Sequence, residues 1–112
     1  MIRLNDVDKV ILYPGVTDMR LGIWGLMRLV GDPEPGCLYV FCGSGMSMLR
    51  MLLVEDDSYT LYSRKLKRRK YLFPASGAPM ETGAESIEAI IACAALAIRA
   101  EAGGDPISQA SI

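Results

Sequence analysis

The chain has 112 residues, of which 51% are apolar and 22% are charged. This length and composition are typical of one globular domain and exclude a disordered or collagen-like chain. No apolar run reaches the ~18 residues of a membrane-spanning helix, and the acidic start of the chain is unlike a signal peptide. We therefore expect an unexported, soluble domain without a membrane partner.

The residue types that carry most nucleophilic and metal chemistry are scarce. The chain contains no histidine, which excludes Ser-His and Cys-His nucleophile pairs and imidazole metal ligands. Its three cysteines (Cys37, Cys42 and Cys93) form no CxxC pair and are expected to be free thiols in a reducing compartment. We predict no catalytic residue, no cofactor and no bound metal.

The first third of the chain predicts a strand followed by a helix. The apolar run 9–13 ends at Pro14, which is typical of a strand that enters a turn. Thr17 is a predicted helix N-cap, because apolar side chains recur at helical spacing over residues 19–30. Gly31 is predicted to end this helix.

Four short segments in the middle of the chain predict strands. Residues 37–42 and 48–54 are almost continuously apolar, and residues 58–64 alternate between the two faces of a strand. Residues 71–73 form a fourth apolar segment, which Pro74 ends. Because tight turns separate these segments, the sequence predicts an antiparallel meander.

The C-terminal part predicts a loop over residues 74–83 and then a second helix. Thr82 and Glu85 have the spacing of a capping box. Isoleucine and alanine residues between positions 87 and 98 lie on one helical stripe, and a glycine pair at positions 103 and 104 ends it.

These elements together predict an α+β fold in the order strand, helix, four-stranded antiparallel meander and helix. Both helices are expected to pack on one face of the sheet. The predicted single domain spans residues 1–104, and residues 105–112 are expected to form a flexible tail.

The basic residues are concentrated in one place. Six of the twelve lysines and arginines lie within residues 64–70, here called the basic segment, and the rest of the chain has six basic against thirteen acidic residues. A basic patch on an acidic body favours contact with phosphate groups. The alternative is a solvated hairpin tip whose cations prevent edge-to-edge strand pairing. The predicted nucleic-acid-binding residues are Arg64, Lys65, Lys67, Arg68, Arg69 and Lys70, together with Arg20 and Arg50.

Two other segments could carry chemistry, and each has a simpler structural explanation. Residues 43–45 could present backbone amides to a phosphate, but they lack the lysine and the helix of a P-loop and are typical of a hairpin loop. Asp18 and the acidic turn (residues 55–57) could hold metal ions for a nuclease. Acidic residues in a turn are, however, favoured for their own backbone hydrogen bonds.

Several blocks of the sequence resemble one family. Residues 12–20 (LYPGVTDMR), followed by GIWGL at 22–26, are similar to the opening GxTDMRxGxxGL block of TnpB-type (Orf2-like) accessory proteins of insertion-sequence family sixty-six. The likeness continues through residues 38–43 (LYVFCG), 61–66 (LYSRKL) and 71–74 (YLFP). The family's basic stretch is missing between positions 44 and 57 apart from Arg50. The motif residues are Thr17, Asp18, Met19 and Arg20.

This resemblance implies a non-catalytic accessory role in DNA transposition in the bacterial cytoplasm, beside a separate transposase. Together with the basic segment, it makes DNA, bound with little or no sequence preference, and the transposase of the same element the expected partners. One alternative is a protein–protein adaptor or homo-oligomerising module without DNA contact, and another is a small metal-dependent nuclease. A homodimer also stays open, because the apolar run 37–42 indicates burial on both faces of its strand.

Overall fold

The computed structural model describes residues 7–83 and Glu85. In this part of the chain five strands form one sheet in the order β4-β3-β2-β1-β5. The helix α1 lies between β1 and β2 in sequence. The elements are β1 (Lys9–Val16), α1 (Ile23–Val30), β2 (Cys37–Cys42), β3 (Met48–Val54), β4 (Tyr59–Lys65) and β5 (Met80–Thr82).

The predicted α+β architecture, with a four-stranded antiparallel meander and two helices on one face, is wrong. The sheet is mixed, because β1 pairs with β2 in parallel while the pairs β2–β3, β3–β4 and β1–β5 are antiparallel. Parallel neighbours need a crossover connection, and α1 supplies it between β1 and β2. The order strand, helix, strand is therefore a βαβ unit, to which β3 and β4 add an antiparallel extension.

The predicted fourth meander strand is not a strand. Residues 66–75, here called the crossing segment, leave the end of β4 and pass over one face of the sheet to β1, where the N–H of Gly15 donates to the carbonyl of Pro74 (2.9 Å). The strand that follows, β5, lies within the predicted loop 74–83. The predicted second helix, the domain limit at residue 104 and the tail lie outside the described residues.

The start of α1 also differs from the prediction. The helix begins at Ile23, and its N-cap is Gly22, which makes no side-chain cap hydrogen bond. Thr17 does not cap a helix, because it directly follows β1 and its N–H donates to the carbonyl of Cys42 at the end of β2 (2.9 Å). The loop between strand and helix is correspondingly longer, and residues 17–21 are here called the motif loop.

The chain itself covers both faces of the sheet. On the helix face, Leu26 of α1 packs on a cluster of strand side chains that includes Phe41 and Leu52. On the opposite face, here called the crossing face, the crossing segment packs Leu66, Tyr71 and Phe73 on side chains of β1, β2 and β3. All six residues of the central strand β2 are buried. The predicted burial of residues 37–42 on both faces is confirmed, and its cause lies within one copy of the chain.

Candidate nucleic-acid interface

The basic segment is held to the sheet by buried apolar side chains. Leu66, Tyr71 and Phe73 are 6%, 1% and 8% exposed, whereas Lys67, Arg68 and Lys70 between them are exposed. Burying side chains of this size stabilises a fold by about 1.5–3 kcal/mol each. The anchors therefore fix the path of the backbone while the cations point to solvent.

Hydrogen bonds also hold the basic segment to the turn between β2 and β3. The N–H of Leu66 donates to the carbonyl of Ser47 (2.8 Å), and the N–H of Tyr71 donates to the carbonyl of Met46 (2.6 Å). The Nζ of Lys65 donates to the Oγ of Ser47 (2.8 Å). The basic segment is thus tied at three points to the turn between β2 and β3. It is not the tip of a hairpin, as the sequence predicted, because in the sheet that the structure describes β4 is an edge strand that pairs only with β3.

Five of the six cations of the basic segment line one open surface. Residues 64–69 line a single open depression at the end of β4. Among residues 7–83 and Glu85, none of the six cations lies within ion-pair distance of a carboxylate, since the ion pairs there join Lys9 to Glu34 and Arg20 to Asp18. Their charges are therefore not neutralised locally, and this surface has a positive potential that attracts anions.

The motif loop lies at the same end of the sheet. Thr17 is 8% exposed and joins β2 through its N–H. The side chain of Met19 packs against Gly43, where an added Cβ would lie 2.7 Å from the Cγ of Met19. The basic segment reaches this end through Ser47. The structure thus brings two sequence-predicted features, the motif and the basic segment, to one end of the sheet.

The two charged residues of the motif bind each other. The Nη2 of Arg20 donates to the Oδ2 of Asp18 (2.8 Å), and its Nε and backbone N–H both donate to Oδ1 (3.0 and 2.9 Å). These hydrogen bonds from Arg20 lower the pKa of Asp18 to about 2. The guanidinium of Arg20 is exposed, but the adjacent carboxylate compensates its charge. It is therefore a weaker anion site than the unpaired cations.

Arg50 lies apart from the depression and has a structural contact. It stands in β3 opposite Phe41 and Ser63, on the helix face, and its Nη1 donates to the carbonyl of Leu21 at the end of the motif loop (2.8 Å). Its Nε is buried without a hydrogen-bond partner in the described part of the chain. The sequence showed a cation among apolar neighbours, but the acceptor is a backbone carbonyl 29 positions away.

The features considered for other chemistry are not assembled into a site. Asp18 follows β1 at one end of the sheet, and the acidic turn follows β3 at the opposite end. Over residues 7–83 and Glu85, no three Cys, Asp or Glu side chains are placed to hold a metal ion. In the loop 43–45, the N–H of Gly43 donates to the carbonyl of Met48 (3.0 Å) and is occupied within the turn.

The described cysteines are free and buried. Cys37 and Cys42 are free thiols, as predicted, and burial raises the pKa of both, whereas Cys93 lies outside the described residues. No helix within the described part of the chain is long and apolar enough to cross a membrane.

Comparison with known proteins identifies the family. A family model described as IS66 Orf2 like protein matches residues 8–101, a range that contains the motif loop, the basic segment and the strands β1 to β5. No curated protein and no solved structure matches the chain. The predicted resemblance is confirmed, and the chain belongs to the IS66 Orf2-like family as a transposition-associated accessory protein.

Proposed function

We propose that this protein is a non-catalytic accessory protein of DNA transposition that contacts DNA phosphates through the basic segment, beside a separate transposase. The observation that supports this proposal best is the set of six cations at one end of the sheet, unpaired among the described residues and fixed by buried anchors. The proposed contacts are Arg64, Lys65, Lys67, Arg68, Arg69 and Lys70.

The kind of contact follows from the position of these cations. They lie on a strand end and an irregular segment, and neither places a helix or a two-stranded ribbon where it could enter the major groove. Lysine and arginine on such a surface bind the phosphate backbone, which positions a protein without reading sequence. We therefore propose binding with little or no sequence preference. Arg20 adds a peripheral contact of smaller effect, because Asp18 compensates its charge.

The test is a titration of a DNA duplex at several salt concentrations. About six phosphate contacts predict a ~10³-fold loss of affinity between 50 and 200 mM salt. Arg68→Ala/Lys70→Ala should reduce the log–log salt slope by ~1.8, at ~0.9 per contact. The matched control is Lys9→Ala/Arg28→Ala, which removes the same charge from exposed positions outside the basic segment. Equal effects of the two pairs, or no binding by the unmodified protein, would reject the proposal.

A second candidate function, docking on the transposase, is favoured by one aromatic surface. Trp24 is 68% exposed, and its ring lies 6.0 Å from that of Tyr59, which is 42% exposed. Exposed tryptophan is enriched among residues that dominate protein interfaces. Trp24→Ala should reduce capture of the purified transposase at least tenfold, whereas Leu72→Ala, at an exposed apolar position on the opposite face, should leave it unchanged. Unchanged capture by Trp24→Ala would exclude this surface.

A further inference from the structure

The two edges of the sheet differ in how well they are protected. The edge strand β5 has three residues, whereas β4 has seven and pairs with β3 without a bulge. Proteins usually shorten, bend or charge an edge strand to prevent pairing with another chain. Positions 59–63 of β4 (YTLYS) contain no charge, proline or glycine. The first five of the seven residues of β4 therefore lack these protections, and its two cations, Arg64 and Lys65, stand together at its C-terminal end.

Hydrogen bonds at both ends of the β3–β4 ladder show which backbone groups face outward. The N–H of Glu55 donates to the carbonyl of Ser58 (2.9 Å), and the N–H of Leu66 donates to that of Ser47 (2.8 Å). Hydrogen-bonded pairs alternate along an antiparallel ladder, so every second residue of β4 bonds to β3. The residues whose N–H and C=O groups point away from β3 are therefore Tyr59, Leu61, Ser63 and Lys65.

We infer that β4 pairs antiparallel with β4 of a second copy of this chain, about a two-fold axis at Tyr62. In this register Tyr59 lies opposite Lys65 of the second copy, and Leu61 lies opposite its Ser63. All four outward-facing residues of each strand then form hydrogen-bonded pairs, whereas a shift of two residues in either direction leaves one of them unpaired. The two Tyr62 rings, half-buried on the crossing face, meet as a cross-strand aromatic pair.

The charges beside β4 favour the antiparallel arrangement. The acidic turn, which is exposed, ends two residues before the strand begins, and exposed Lys67 and Arg68 begin two residues after it ends. Antiparallel pairing places each acidic turn beside the cations of the other copy, at both ends of the interface. Parallel pairing would place acids beside acids and cations beside cations, which is destabilising.

The same charges cannot neutralise each other within one copy. The seven residues of β4 alone separate them by ~23 Å at ~3.3 Å per residue, and the screening length at physiological salt is ~8 Å. Their attraction is therefore available to a second copy that lies against this edge, and the interface should weaken as salt is added.

The experiment measures the molecular mass by sedimentation equilibrium, without DNA, at protein concentrations of about 5–200 µM. The unmodified protein should reach twice the 12.2 kDa of one chain. Ser63→Pro removes one outward N–H and no bond to β3, which an edge strand tolerates. Ser63→Pro should raise the dissociation constant of the dimer at least tenfold, whereas Ser63→Ala should leave this constant unchanged. Because DNA is absent, the result is independent of phosphate binding.

A charge-reversal cycle tests the same interface without a change of backbone. Asp56→Lys/Asp57→Lys should weaken the dimer about tenfold, and adding Lys67→Asp/Arg68→Asp should restore it, because each copy then supplies both reversed charges. The cycle decides the question alone if Ser63→Pro does not fold. A monomeric unmodified protein at 200 µM would overturn the inference, since β4 would then not pair with a second copy. A dimer that is as stable in Ser63→Pro, or in Asp56→Lys/Asp57→Lys, as in the unmodified protein would also overturn the inference, because its contact would then lie outside β4.

Discussion

The two faces of the sheet are covered by different kinds of structure. On the helix face, α1 satisfies its own backbone hydrogen bonds and packs Leu26 and its neighbours onto the strands. On the crossing face, an irregular segment buries Leu66, Tyr71 and Phe73 and takes its backbone hydrogen bonds from neighbouring turns and strands. The crossing face thus depends on three anchors and a few hydrogen bonds. The same segment contains four of the six cations that carry the proposed function.

This difference shows how a small domain can combine a stable core with a charged surface. A helix of eight residues on the crossing face would place its charges on one outer stripe, set by 3.6 residues per turn. An extended segment instead alternates buried and exposed residues, so Leu72 is 53% exposed between two buried aromatics. Three anchors and four cations can then follow each other within the eight positions 66–73.

The largest expected effect tests whether α1 and the crossing segment contribute comparably to the free energy of unfolding. Tyr71→Ala should lower the free energy of unfolding by about 3–5 kcal/mol, and Leu26→Ala should lower it by about 2–5 kcal/mol, because each leaves a cavity in its core. Urea denaturation measures both. Of the two, only Tyr71→Ala should also weaken DNA binding under conditions where both variants fold, since it releases the backbone under the cations. Equal DNA affinity for the two variants would contradict the role given to the anchors.

A second prediction compares two arginines that sequence patterns treat alike. Arg50→Met should lower the free energy of unfolding by about 1–3 kcal/mol, because the carbonyl of Leu21 loses its charged donor. Arg68→Met should change it by less than about 0.5 kcal/mol, because the side chain is exposed. Denaturation and DNA titration on both variants should give opposite patterns, with the salt slope reduced only by Arg68→Met. A reduced salt slope for Arg50→Met would indicate that Arg50 contacts DNA phosphates as well.

Elements whose residues repeat a local pattern could be predicted from the sequence. The apolar runs gave the bounds of β2 and β3 as the structure has them, and β4 was displaced by one residue. Pairing could not be predicted in the same way, because the parallel contact of β1 with β2 depends on where α1 packs. Concentration of charge likewise identified the basic segment, but not its path over the sheet.

The crossing segment shows why one local pattern has two structural solutions. Tyr71 and Phe73 are buried and Leu72 is exposed, which is the alternation of a half-buried strand. The sequence therefore predicted a strand, whereas these residues pack against a sheet face without joining its ladder. The predicted start of α1 was wrong for a similar reason. Thr17 has a side chain that often caps helices, but its N–H donates to the carbonyl of Cys42 at the end of β2. In both places a long-range contact decided the structure.

Two buried tyrosines allow a comparison of the faces with one substitution. On the helix face, the Oη of Tyr39 accepts a hydrogen bond from the N–H of Glu34 (2.9 Å), whereas the Oη of Tyr71 on the crossing face has no partner among the described residues. Tyr39→Phe should therefore lower the free energy of unfolding by about 1 kcal/mol, and Tyr71→Phe should leave it unchanged or raise it by about 1 kcal/mol. Equal losses in urea denaturation would indicate that Tyr71 has a partner after all.

The same two tyrosines predict a loss of stability at alkaline pH. Burial raises the pKa of Tyr39 to about 12 and also raises the pKa of Tyr71, because the charged phenolate is disfavoured away from water. A pKa raised by folding stabilises the fold fully below the unfolded value of ~10, and this contribution is lost as the pH rises through the folded value. The free energy of unfolding should fall above pH ~10, and less steeply in Tyr39→Phe. An unchanged slope in that variant would reject the role of Tyr39.

The smallest expected effect concerns the exposed ion pair of the motif. Arg20→Ala should raise the pKa of Asp18 from about 2 toward its usual value of ~4, because it removes the side-chain hydrogen bonds from Arg20, the largest cause of the shift, and keeps the one from the backbone N–H. A carboxylate with a lowered pKa stabilises the fold above its unfolded pKa and loses that contribution as the pH falls toward 2. Titration of the Asp18 side chain by NMR measures the shift, with Arg28→Ala as the control for loss of an exposed charge. A low pKa that persisted in Arg20→Ala would assign the shift to the loop backbone and leave the guanidinium of Arg20 free to bind an anion.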